Sequence, residues 1–161
     1  PSIPEPDLKF KQAAFLPKSY IPHEKTRLVF YKKLAAATEE EEIEQIKTEL
    51  KDFAGSLPEE TKNLIFLSHL RLLAKKAHIR EMSYNPPFLY MSLADSTPLS
   101  SSLILQWIET GLGEWQNKNT LKFNLYRTGP ERVSSPPCSP ALQNDNLLHV
   151  WKFLKDLFCE I

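Results

Sequence analysis

Histidines, cysteines and paired carboxylates are the side chains here whose spacing could support chemistry, and the chain has four His and two Cys. His69 and His78 fall on one predicted helix, but not at the i,i+4 spacing that lets two imidazoles share a metal. His23 and His149 stand apart from both. Cys138 and Cys159 form no CxxC and have no Cys/His ligand spacing. Cys138 also lies among prolines, where a thiol would lack a fixed base to activate it. No GxSxG, GxxxxGK(S/T) or GxGxxG occurs, and four glycines leave little for a phosphate-cradling loop. Glu49 and Asp52 are three apart and share a helix face. Acid–base work would need a concave, desolvated setting that raises one of their pKa values, and Lys47 and Lys51 flank them instead. No catalytic, cofactor-binding or metal-binding residue is expected.

The distribution of charge says more than these groups do. Lys plus Arg and Asp plus Glu each total 20, which argues against a module that holds nucleic acid mainly by its phosphates. From 38 to 60, however, nine acids stand against two lysines, and from 62 to 80 five basic residues stand with no acid. Two uses of this asymmetry are open. The two segments pair with each other, in exposed contacts worth about 0–1 kcal/mol each, or the acidic edge steers a basic partner surface. Glu49 and Asp52 are thus either part of a solvated face or part of a docking edge. A separate reading sets Lys25, Arg27, Lys32, Lys33, Lys75 and Lys76 on phosphates, as a nucleic-acid-binding module.

These residues must be placed by a chain of 161 residues, 42% hydrophobic and 11% aromatic, enough for one sizeable core and hence one expected domain. Residues 7–17 predict a short strand and an extended crossing. Pro22 and Glu24 open a helix over about 23–37 with a stripe of Leu28, Tyr31 and Leu34 or Ala35. Thr38 and Glu41 have capping-box spacing, and Ile43, Ile46, Leu50 and Phe53 follow as one apolar face up to Gly55, giving a second helix over 39–54. Pro58 starts a third, reaching about 78, with Phe66, Leu70, Leu73 and Ala77 as a stripe that Leu64 and Leu67 widen.

The apolar period then changes to two. EMSYN and PPFLYMSLADS predict two strands, 98–111 a helix closed by Gly111, and NTLKFNLYRT (119–128) a strand with Leu121, Phe123 and Leu125 on one face. Residues 129–146, rich in Pro, Ser and Asn, predict a mobile loop. LLHVWKFLKDLFCEI predicts a last amphipathic helix with Leu147, Val150 or Trp151, Leu154 and Phe158 inward. Segregated helices beside a small antiparallel sheet indicate an α+β fold. The two cysteines read as free thiols of a reducing cytoplasm. No apolar run approaches the roughly 18–20 residues of a membrane-spanning helix. PSIPEPDLKFKQ lacks a signal-peptide pattern and reads as the continuation of a preceding segment.

Leu16-Pro17, Tyr20-Ile21, Arg27-Leu28, Phe30-Tyr31-Lys32, Glu49-Leu50, Asp52, Gly55, Leu57-Pro58 and Ile79-Arg80 form a continuous pattern across residues 14–80. That stretch resembles the C-terminal module of bacterial transcription-repair coupling factor. Beyond residue 81 the resemblance rests on element order and on LKF at 121–123. It implies an extended lead-in at 1–17, joining this module to the one before it, and a C-terminal domain at 18–161.

The whole protein would be an ATP-driven translocase on duplex DNA that displaces stalled RNA polymerase and recruits UvrA, in the bacterial cytoplasm. ATP and Mg would belong to its helicase-like modules, and this module would be non-catalytic. It would fold back on the N-terminal UvrB-like module, cover the surface that UvrA uses, and hold the translocase repressed. The end of the acidic helix would make that contact, with Glu49 and Asp52 against basic residues. The family carries Arg-Phe before the glycine, where this chain has Phe53-Ala54. Two placements therefore stand for Phe53, in the interface or in the core as the end of the 43, 46, 50 stripe.

Overall fold

The computed structural model describes residues 3–125 and 147–158. The expected loop at 129–146, with Cys138, lies outside them, as do Cys159 and the side chain of His149. The elements run β1 (Asp7–Lys9), α1 (Glu24–Ala36), α2 (Glu40–Ala54), α3 (Glu59–Lys76), β2 (Ile79–Asn85), β3 (Phe88–Leu93), α4 (Ser101–Glu109), β4 (Gly113–Trp115), β5 (Thr120–Asn124) and α5 (Leu147–Leu157). The fold is α+β. Its contacts divide it into two compact units, Gln12–Leu72 on one side and Pro1–Lys11 with Leu73–Ile161 on the other.

The helical unit, Gln12–Leu72, buries Leu16, Ile21, Phe30, Leu34, Ile43, Ile46, Leu50, Leu57, Ile65 and Leu72 in one cluster. Of the predicted stripe on α1, Leu34 is buried and Tyr31 packs partly buried against the core, but Phe30 takes the inward place expected for Leu28. Leu28 is 49% exposed, because α1 is apolar on both sides and spacing alone does not say which side wins. Pro22 precedes the capping residue His23 and so stands outside α1, where its fixed φ still suits an entry turn.

The N-cap of α2 lies one residue past the predicted Thr38. Glu39 takes the cap position, and the Glu42 carboxylate accepts the Thr38 backbone N–H at 2.8 Å. Glu39 makes no side-chain cap bond and Glu42 reaches the N–H of the residue before it, so neither half of the expected Thr38–Glu41 box forms. Pro58, likewise, sits just before α3 and accepts from the N–H groups of Thr61 and Lys62. Two side chains tie the extended 12–17 segment to the start of α3. Thr61 donates to the Phe15 carbonyl at 3.2 Å and Asn63 to the Ala13 carbonyl at 2.9 Å. These bonds account for two of the buried polar residues on α3.

The second unit is built on a five-stranded sheet in the order β1-β2-β3-β5-β4. Pairing is antiparallel from β2 to β4, as expected, and β1 adds to β2 in parallel. Alternation places Leu89, Met91 and Leu93 of β3 and Leu121 and Phe123 of β5 on the buried face. Trp107 of α4 packs edge-on to Phe123 with ring centroids 5.8 Å apart, and Phe153 of α5 does so at 5.6 Å. Leu147, Val150, Leu154 and Phe158 point inward as the period predicts.

The short strand β4 had no signal in the sequence. It forms because Gly113 lets the backbone lie against the Phe123 ring, where a Cβ would come within 2.9 Å of Cε1. His69 is buried on α3, whereas His78 closes that helix at φ +53, its Nδ1 2.9 Å from the Ser96 hydroxyl.

Candidate functional site

Helix α2 fixes the geometry of the corner that holds Glu49, Asp52 and Phe53. Ile43, Ile46 and Leu50 face the core, so positions 49, 52 and 53 fall in the last turns on the outer side of the same helix. Phe53 does not complete the apolar face. It is 60% exposed, because a residue three past Leu50 has rotated away from the inward direction while Ala54 has rotated back towards it. After the turn, Leu57 fills the core space in its place. The Phe53 ring leans on Phe30 of α1, with centroids 6.1 Å apart and planes tilted by 58°. Of the two placements open for Phe53, the structure adopts the surface one.

The turn itself needs glycine. Gly55 has φ +88 and ψ −156, a region closed to side chains, and its N–H reaches the Lys51 carbonyl at 2.9 Å. Tyr20 braces the same end. Its hydroxyl shares one proton between the carbonyls of Leu50 at 3.0 Å and Gly55 at 2.8 Å. Burial pushes the Tyr20 phenol above its ordinary value, which keeps that donor protonated.

The carboxylates differ in what they touch. Glu49 Oε2 is 2.6 Å from the Lys33 ammonium of α1, both side chains being about half exposed. Glu44 lies 3.6 Å from Lys47 and 3.4 Å from the buried His69 Nε2. Asp52 is exposed and makes no ion pair among the described residues. It also sits at the negative end of the helix dipole, where a further negative charge is unfavourable and a partner cation is welcome.

Helix α2 touches α1 through Glu49 and Lys33, and α3 through Glu44 and His69. The two sides of α2 therefore hold acids of different availability.

Several of the basic candidates already have partners within the chain. Arg27 donates from Nη1 to the carbonyls of Ile21 and Pro22 at 2.8 and 2.9 Å, which fixes the entry to α1. Lys33 is engaged by Glu49, and Lys75 lies 3.3 Å from Glu5. Lys25 and Lys32 are exposed on α1, and Lys76 is exposed on α3. Among the described residues no group of His, Cys, Asp and Glu could hold a metal ion, and no helix is long and apolar enough to cross a membrane. Sequence reasoning missed Phe30, Tyr20 and the role of Lys33 at this corner. The only signal for Tyr20 and Phe30 was membership of the Tyr20-Ile21 and Phe30-Tyr31-Lys32 motifs, and Lys33 figured only as a basic candidate for phosphate contact.

The TRCF domain family matches residues 10–103. A transcription-repair-coupling factor of Buchnera aphidicola subsp. Acyrthosiphon pisum is 33% identical over 150 residues, which is 91% of this chain and 17% of that protein. The Escherichia coli protein of the same name is 39% identical over 79 residues, 49% of this chain and 7% of its own length. The chain thus spans a small part of the relatives it matches. A crystal structure of the C-terminal domain of transcription-repair coupling factor superposes with a TM-score of 0.67 at 16% identity, covering 96% of this chain and 94% of that one. The fold is therefore that domain's, and the pattern carried by the first half of the chain is the family's: this chain belongs to the TRCF domain family of transcription-repair coupling factors.

Proposed function

We propose that this chain is a non-catalytic regulatory module of a transcription-repair coupling factor. It docks through the end of α2 on the UvrB-like module of the same protein and so represses it. The observation that carries this reading is the pairing of an exposed aromatic ring with an unengaged carboxylate at one helix end. Phe53 is 60% exposed beside Asp52, and Phe53 supplies apolar contact area where Asp52 and Glu49 supply charge. An interface of that kind gains specificity and association rate from its charges and most of its affinity from the buried ring.

Docking would cover the surface that UvrA uses, and engagement of RNA polymerase or duplex DNA by the other modules would release it. ATP and Mg would act in those modules, with no cofactor in this one. A lock of this type needs only a few kcal/mol of differential contact between its two states. Reversing charge at both acids, Glu49→Lys with Asp52→Lys, in the full-length protein is expected to raise UvrA binding and basal ATPase activity together. Unchanged values for both, with the fold intact by circular dichroism, would rule this edge out as the lock. The nucleic-acid reading gains no support from the basic residues, since Arg27, Lys33 and Lys75 already have intramolecular partners.

A further inference from the structure

The two carboxylates at the end of α2 are not equivalent, and the difference is built by α1. Lys33 places its ammonium 2.6 Å from Glu49 Oε2 and 5.6 Å from the centroid of the Phe30 ring. Phe30 in turn supports the exposed ring of Phe53. Lys33 therefore stands at the junction of the charged and aromatic halves of the corner. It is about half exposed, so no burial locks it in place. A basic group arriving from a partner must take Glu49 from Lys33, or share that carboxylate with a like charge beside it. Both routes oppose docking.

We infer that Lys33 is an internal competitor for Glu49, a positioning residue that weakens the docked state and keeps the corner releasable. This inference rests on the docking reading above. Asp52, which has no such competitor, then provides the first electrostatic contact, and Glu49 contributes only on exchange. Because exposed pairs of this type are weak, the competition is worth a small factor, about two- to five-fold at low salt. That suits a contact which must break during each cycle of use.

The experiment uses the full-length coupling factor carrying this chain, with UvrA as the probe of the undocked state. Lys33→Met is expected to strengthen docking and so lower the apparent UvrA affinity about two- to five-fold. Lys33→Arg should behave as the parent does. In a Glu49→Gln background Lys33→Met should have no effect, since the competition then has no object. Asp52→Asn with Phe53→Ala should raise UvrA affinity.

If that last variant leaves UvrA binding unchanged, the docking reading fails and this inference with it. If it raises binding while Lys33→Met changes nothing, the inference fails and docking stands. A Lys33→Met effect that persists in the Glu49→Gln background also overturns the inference, because it would reflect general charge and not the pair.

Discussion

Tyr20 closes the end of α2 with one proton shared between two carbonyl oxygens. Replacing it by Phe leaves both acceptors without that donor and is expected to cost about 1 kcal/mol, read as a shift in urea midpoint with an unchanged m-value. Burial raises the phenol above its ordinary value of 10.0, so near that pH the unfolded chain ionises before the folded one. The stability that this group contributes is complete below pH 10.0 and is lost as the pH rises through the folded value. Alkaline unfolding curves should show a Tyr20 component that disappears in Tyr20→Phe. An identical alkaline slope in both proteins would contradict the assignment. At this scale residue type and spacing put Glu49 and Asp52 on one helix face, and the resemblance singled them out as candidate contacts. It did not reveal the hydroxyl that braces their helix, because Tyr20 and Gly55 are distant in sequence and meet only after folding.

At the scale of elements, α2 is the most legible part of the chain and its last turn the least. Acids in the first turn, the 43, 46, 50 face and the terminal glycine all follow from local rules, and the helix spans Glu40–Ala54 as those rules predict. The cap moved one residue past Thr38, where the Glu42 carboxylate accepts the Thr38 N–H, a contact that the expected spacing does not specify. Gly55→Ala is expected to destabilise the helical unit by about 1–3 kcal/mol, measured by chemical denaturation. The open space around its Cβ position makes backbone strain the only cause, so a neutral Gly55→Ala would show that the turn adopts another conformation. Gly113→Ala acts by the opposite mechanism. There the Cβ meets the Phe123 ring at 2.9 Å, and overpacking of about 1–3 kcal/mol is expected. That contact explains why β4 was invisible in the sequence, since a three-residue edge strand has no period of its own.

At the scale of the whole molecule, balanced charge and partly engaged basic residues predict weak contact with nucleic acid. Fluorescence anisotropy of the chain with duplex DNA at low salt should show no binding with a salt slope steeper than about −2 in log–log form, the signature of two phosphate contacts. A steeper slope would restore the nucleic-acid reading. The amino-acid sequence by itself determined the class of fold and the order of nearly all its elements, because periodicity, capping residues and turn residues are local properties, and its motif pattern over residues 14–80 carried the resemblance to the family. It determined which residues carry charge at the end of α2. Only the tertiary structure decided which side of α1 is buried, that Phe53 lies at the surface against Phe30, and that Lys33 holds Glu49 while Asp52 stands open. Those outcomes depend on how α1 and α2 are turned against each other, a relation between distant residues that no local pattern encodes.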